Sequence, residues 1–438
     1  MKNSFFFLCV FIPITLISQA PFEWLYIVGK QSFNERGHAV TADPNGYVYS
    51  TGYYYEQTDF SPGQAGGLLN GTSSSTTDTE GYLLAVDENG NYQWAENITT
   101  NNVGGGAGYG SAMVFDTVGN RIFTYKRFVG AFGGSTSMMT EARNPDGTLT
   151  SGSNALYGGL EAFDRLYMDI LESNSNTFLT GSYHTHLQTL NAPSFTTIHN
   201  SSGMEDIFIA KYNGNSRIWS KKVGGTGSDK PSGISVDTTG DIHLTGHFSG
   251  NVDFDPNGGF ASLSGDPNTA FIAKYDSSGN YLWAHKIGNA DSVVTFDIEA
   301  DDAGNSYICG SFYGTVDFDP GTGISELTSR PTVPASYIYK HDMFVLKLDP
   351  LGNFLWVKQI KGTKEEFPYC MDIDTAGYLS IAGRFAGTAD FNPGTATNNL
   401  TASSSSFDMF ILRLEDNGDY ISAIKRTGAQ AFGIDTDD

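Results

Sequence analysis

The sequence predicts an all-β fold: a β-propeller of four-stranded antiparallel blades, six complete and a seventh partial. Three observations predict it. The chain repeats itself, for "HFSGNVDFDPNGG" from His247 to Gly259 returns as "SFYGTVDFDPGTG" from Ser311 to Gly323. Each repeat holds short runs of β-branched and aromatic residues bounded by Asp/Gly/Asn turns, the signature of hairpins. No segment after the first twenty residues sustains a helical period.

The clearest copy gives the elements in order. A first strand, Gly233 to Asp237, meets a tight turn at Thr238–Asp241, and a second runs from Ile242 to Phe248. A third, Phe271 to Tyr275, ends in the turn Asp276–Asn280, and a fourth follows from Tyr281 to Ile287. First-type runs recur near Val40, Val114, Met168, Ile298, Ile373 and Phe432, and second-type runs near Tyr47, Ile122, Phe178, Tyr307 and Leu379. Third-type runs recur at Gly81, Met139, Ile207, Met343 and Met409. Fourth-type runs recur around Trp24, Trp94, Thr150, Trp219, Trp356 and Ser422.

The first and fourth types therefore occur seven times and the others six. A four-stranded unit cannot bury both its faces alone, so such units are expected to close radially. The chain opens on an orphan fourth strand and ends inside an orphan first one. The Trp24 strand is expected beside "FGID" from Phe432, or beside the first blade, and residues 21–438 are read as one domain cut short within blade seven.

The first twenty residues, "MKNSFFFLCVFIPITLISQA", combine Lys2, an apolar run from Phe5 to Ile17 and the small-x-small ending Ser18-Gln19-Ala20. That is the pattern of a secretory signal peptide, and the run is short for a membrane span. A secreted or cell-surface protein without membrane insertion is expected. The 48 acidic residues against 25 basic ones set a net charge of −23, which repels phosphate backbones and excludes nucleic acid as the expected partner. Beyond the leader two cysteines remain, Cys309 and Cys370, too few for a disulfide framework and expected as small buried residues.

Residues Val223 to Phe254, "VGGTGSDKPSGISVDTTGDIHLTGHFSGNVDF", resemble the secreted seven-bladed β-propeller repeat, abbreviated SBBP. The shared pattern is a Gly-Gly-x-Gly-x-Asp lead, an Ile-x-Val-Asp strand, a turn, a Thr-Gly strand and Asp-Phe. The likeness is strongest from Asp206 to Leu414. It weakens in Val103–Tyr125, which lacks Thr-Gly and Asp-Phe, and in Leu171–His186, where the Asp turn is missing. The resemblance implies an extracellular or cell-surface bacterial protein and carries no common enzymatic activity.

The acidic loop residues Asp59, Asp253, Asp255, Asp317, Asp319 and Asp390 are the candidate binding-face residues. Their first reading is local. Asp side chains cap turn amides, Pro presets φ, and Phe60, Phe254, Phe318 and Phe391 turn inward and wedge between blades. The rival reading is calcium, which takes about six to eight oxygens. The second Asp decays to Ser61 and Asn392, which suits a cap better, so no cofactor is expected. His184 with His186, and His243 with His247, share strand faces and are weaker zinc candidates. Gly224 to Asp229 lacks the Lys-Ser/Thr ending of a phosphate cradle, and no G-x-S-x-G, H-E-x-x-H or Cys/His pairing names a catalytic site.

Antiparallel strands send the tight turns to one face and the long loops to the other. Long acidic loops on a rigid frame suit recognition. A non-enzymatic binding or adhesion scaffold for a glycan, peptide or surface protein is the leading expectation. An extracellular carbohydrate-active enzyme is the alternative, since a propeller funnel can hold paired carboxylates.

Overall fold

The computed structural model describes most of residues 36–213 and residues 216–427, apart from short internal segments, of which 330–340 is the longest in the second stretch. It also describes three strands near the termini, Phe7–Ile12, Trp24–Val28 and Asp435–Thr436. The chain divides into two compact units, Met1–Lys222 with Asp435–Asp438, and Val223–Ile434. All the described regular structure is β.

The repeat is clearest in the second unit. One sheet pairs Val293–Ala300, Ser306–Phe312, Asp342–Leu348 and Phe354–Gly362 in sequence order, and the next does the same with Glu366–Ile373, Leu379–Phe385, Asp408–Leu414 and Tyr420–Arg426. In the first unit Arg36–Ala42, Val48–Tyr55, Thr79–Val86 and Tyr92–Ile98 repeat the pattern. The predicted tight turns are present. Asp237 N donates to Asp241 O, Gly240 N to Asp237 O, and the Asp237 carboxylate accepts from the amides of Thr239 and Asp241. Gly240 stands at φ +87°, a left-handed conformation in which a side chain is strained. The same closure recurs at Asp43, Asp87, Asp276, Asp301, Asp349 and Asp374.

The Asp-Phe motif builds a repeated aromatic core. Phe60, Phe254, Phe318 and Phe391 are fully buried. Each meets an aromatic residue of the second strand edge-on: Tyr54, Phe248, Phe312 and Phe385, at 5.5, 5.6, 5.3 and 5.2 Å. Each also packs on an aromatic residue of the third strand: Tyr82, Phe271, Phe344 and Phe410, at 4.8, 5.0, 4.7 and 4.9 Å. These phenylalanines pack on their own sheet, and Phe318 and Phe391 also belong to cores shared with the preceding repeat, with Ile272 and Ile287 in one and Met343 and Ile360 in the other. Burying one such ring stabilises the fold by roughly 1.5–3 kcal/mol. Neighbouring repeats are tied by the fourth-strand tryptophan, whose indole N–H reaches the proline carbonyl of the next repeat's turn: Trp94 to Pro145 at 2.8 Å, and Trp283 to Pro350 at 3.0 Å.

The expected propeller is not what forms, because the sheets are not closed into separate blades. In the first unit Met139 pairs with Ala155 and Leu156 with Thr189, so strands assigned to two blades run into one ladder. In the second unit Phe354–Gly362 leaves its own sheet to pair Lys361 with Asp390 and Gly362 with Ala389 of the next repeat. Gly224 and Gly225 likewise pair with Asp253 and Val252. The reason is local. A Cβ at Gly225 would collide with the Asn251 carbonyl, so bare backbone lets a fourth strand reach the following ribbon. The second and third strands also run on as long hairpins, Ile242–Asp253 with Ser262–Tyr275 and, where Asp-Phe is missing, the longer Asn176–Asn191 with Ser194–Asn213.

The terminal strands also depart from expectation. Trp24–Val28 pairs antiparallel with Phe7–Ile12, which pairs parallel with Asp435–Thr436. These strands form their own three-stranded sheet and do not supply a fourth strand to a seventh blade. Residues 432–434 of "FGID" lie outside the described residues.

Candidate functional site

The six acidic candidates are turn caps. Asp253 Oδ1 accepts from Asp255 N and Ala261 N, both at 3.0 Å. Asp317 Oδ1 accepts from Asp319 N at 3.1 Å and Ser325 N at 2.8 Å. Asp390 Oδ1 accepts from Asn392 N and Asn398 N at 3.1 and 2.8 Å, and Asp59 Oδ1 from Ser61 N at 2.9 Å. The second acid caps the next turn: Asp255 takes Asn257 N, Asp319 takes Gly321 N, and Asn392 does the same for Gly394 N. An amide oxygen serves as well as a carboxylate, which is why the motif tolerates Asn. Among the described residues no group of three or more His, Cys, Asp or Glu is placed to hold a metal ion.

The loops also end where the strand count does not put them. They leave from the far end of the sheet but fold back along it. Tyr275 at the foot of the third strand donates to Phe254 O at 3.0 Å, and Asn257 Nδ2 reaches Gly279 O at 3.0 Å in the tight turn. The first part of the Asp253 loop therefore lies along the sheet flank towards the tight turns.

The histidines do not gather. His243 is fully buried, with Nδ1 2.7 Å from Ser306 Oγ and Nε2 3.3 Å from Asp237 Oδ2. This order of Ser, His and Asp imitates a nucleophilic triad, but Ser306 and His243 have no exposed surface for a substrate. The position explains itself by repeat. Tyr49 donates to Asp43 at 3.0 Å and Tyr307 to Asp301 at 3.1 Å, so His243 stands where those tyrosines satisfy the turn carboxylate. Burial depresses the His243 pKa against the pull of Asp237. Burial also opposes ionisation of Asp237, yet hydrogen bonds from His243 and Thr239 outweigh it and hold the carboxyl well below its usual range. His247 accepts from Thr295 N at 3.3 Å, and His186 lies against Thr185. Cys309 and Cys370 are buried free thiols, each with its pKa raised by burial.

The site that composition hid lies at the strand ends away from the tight turns. In every regular repeat the first strand carries a β-bulge, and the extra residue is His38, Ser232, Phe296 or Tyr369. The glycine of the second strand makes room for it. A Cβ at Gly383 would strike Phe367 O, and one at Gly310 would strike Val294 O. The residue after that glycine is Tyr53, His247, Ser311 or Arg384. Bulges re-aim side chains, and here they present unlike ones from a constant frame.

In the second unit these positions assemble an aromatic cluster from two adjacent repeats. Phe296 meets Tyr369 edge-on at 5.6 Å and Phe367 at 6.1 Å. Phe367 continues to His341 at 5.7 Å and Phe407 at 6.4 Å, and His341 to Tyr313 at 5.5 Å. All six are half-buried. Arg384 lies among them, its guanidinium 4.2 Å from the Phe407 ring centre and 5.4 Å from those of Phe367 and Tyr369. The sequence signal is the position five residues before each turn aspartate, which changes type from His38 to Ser232, Phe296 and Tyr369 while the turn aspartate and the second-strand glycine recur.

Comparison with known proteins adds one local match. A family model described as a Beta-propeller repeat, SBBP, matches residues 218–258. The likeness is to one repeat. An uncharacterized WD repeat-containing protein, L264, of Acanthamoeba polyphaga mimivirus is 29% identical over 153 residues, 32% of this chain and 11% of that protein. The chain thus spans about a tenth of that relative's length. Among solved structures, Sqt1 from Chaetomium thermophilum overlays with a TM-score of 0.32 at 13% identity, covering 80% of this chain and 94% of that one. The extracellular domain of the two component system BT4673 from B. thetaiotaomicron gives 0.18 at 12% identity, covering 96% and 72%. Overlays this loose transfer no architecture. The adhesion reading assumed a closed ring presenting its loops on one face, and it goes with that ring.

Proposed function

We propose that this chain is a non-enzymatic binding scaffold whose recognition surface is the bulged end of its strands, and that it is exported by its first twenty residues. One observation carries the first part: in the regular repeats a recurring frame of Asp turns, strand glycines and buried Asp-Phe phenylalanines holds His38, Ser232, Phe296 and Tyr369, side chains of unlike chemistry, at one repeated position. Structural positions in a repeat array keep their chemistry because each repeat must pack alike. Positions that diverge on a fixed frame suit contact with a ligand. The leader pattern and the resemblance of Val223–Phe254 to a secreted repeat support export.

The loop carboxylates that are described favour the binding reading over the carbohydrate-active alternative. Hydrolysis of a glycosidic bond uses two carboxyl groups free to act, whereas the loop carboxylates of this chain accept turn amides. The test is a glycan and peptide panel screened with the protein and two variants. Phe296→Ser with Tyr369→Ser should lose the ligand, while Asp302→Ser with Leu351→Ser, on exposed tight turns, should keep it. The opposite outcome would move recognition to the turn end.

A further inference from the structure

We propose that Arg384 and the rings around it form a subsite for the carboxylate of an acidic sugar, the ligand class being a uronate-bearing glycan; this rests on the reading of the bulged end as the recognition surface. Among the described residues Arg384 is held by aromatic rings and not by an acid. Its guanidinium sits over Phe407, Phe367 and Tyr369. Arg121, Arg143 and Arg413 each have a carboxylate within 3.1 Å, as expected in a chain with 48 acidic residues. Among the described residues none pairs with Arg384, and its Nε is buried without a hydrogen-bond partner.

Stacking on rings stabilises a guanidinium without using its outward N–H donors. Those donors form a planar fork that matches a carboxylate with two parallel hydrogen bonds. Tyr369, Phe367 and Phe407 beside it are half-buried, and the part of them left exposed is apolar surface of the kind that a pyranose ring packs against. A sugar carrying a carboxylate answers both features at once. A neutral sugar leaves the arginine without a partner, and a small carboxylate leaves the rings uncovered. The net charge of −23 repels anions at long range, so discrimination must come from these contacts.

Titration calorimetry with oligogalacturonate, its methyl ester and a neutral glucan oligomer tests the proposal. The acid should bind, and the ester and glucan should bind roughly tenfold or more weakly, the loss expected when a charged hydrogen bond is removed. Arg384→Gln should bring the acid down to the level of the ester, with Arg384→Lys between, since it keeps the charge without the fork. Circular dichroism and the melting temperature of each variant separate lost binding from lost folding. Equal binding of acid and ester, no binding of the acid, or full binding by Arg384→Gln overturns the proposal. If a different ligand binds Arg384→Gln normally but not the Phe296→Ser, Tyr369→Ser protein, the subsite fails and the recognition surface stands.

Discussion

Thr185 stands at φ +64°, where Gly250, the matching residue of the next repeat, stands at +74°. Gly314 and Gly387 hold the same place at +76° and +69°. A β-branched residue in the left-handed region is strained by about 1–3 kcal/mol. Thr185→Gly should therefore stabilise the chain by about 1 kcal/mol once the added freedom of glycine in the unfolded chain is subtracted. Chemical denaturation checks it, and a lower midpoint for Thr185→Gly would show that the threonine makes contacts worth more than its strain.

His243 gives the fold a pH dependence of known sign. Its pKa is lower folded than unfolded, because burial disfavours the imidazolium more than Asp237 favours it. The unfolded chain then takes up the proton more readily, so this contribution is full above the ordinary value of 6.5 and is lost as the pH falls below it. Asp237 acts lower on the scale: its depressed carboxyl stabilises above 3.8 and gives that up as the pH falls through its folded value. His243→Gln, with Lys274 and Asp241 left in place, should show a smaller drop in melting temperature between about pH 7.5 and 5.5 than the parent. An unchanged drop would assign the effect to other groups.

The repeat, its strands and its turns were legible because each is a local decision. Asp237 and Gly240 make their turn from four residues of sequence, and Thr245 reveals itself by donating to Phe271 O across one hairpin. Closure was not legible, because it depends on pairings such as Lys361 with Asp390 and Met139 with Ala155 that no run of residues announces. The course of the Asp253 loop was hidden for the same reason: Asn257 finds Gly279 only after the ribbon turns at Gly250. Arg384 and Phe407 lie far from Phe296 in sequence, so their cluster exists only once two repeats pack.

The Asp-Phe loops should behave as caps and not as ion sites. Asp317→Ala removes an acceptor of two amides and should cost about 1–3 kcal/mol, at 0.5–1.5 per hydrogen bond. Asp317→Asn, which keeps an oxygen there, should cost less. Adding calcium to chelator-treated protein should leave the melting temperature in place, since a ligand bound only by the folded state would raise it. A large calcium-dependent rise that disappears in Asp317→Asn with Asp319→Asn would restore the ion reading.

Phe318 carries one copy of the aromatic core, edge-on to Phe312 and packed on Phe344. Phe318→Ala should destabilise by about 3–5 kcal/mol, with Phe254→Ala and Phe391→Ala in the same range. Calorimetric melting of the three variants checks the equivalence of the repeats. A loss below about 1 kcal/mol in any one would mean that its cavity collapses or that the loop opens.

Recognition without turnover at the bulged end is tested most directly by mass spectrometry of whatever immobilised protein retains from a mixed oligosaccharide pool. The parent chain is expected to retain a ligand of unchanged mass, and the Phe296→Ser, Tyr369→Ser protein, folded by circular dichroism, is expected to retain none. Cleaved fragments accumulating beyond the amount of protein, or equal retention by the variant, would contradict the account.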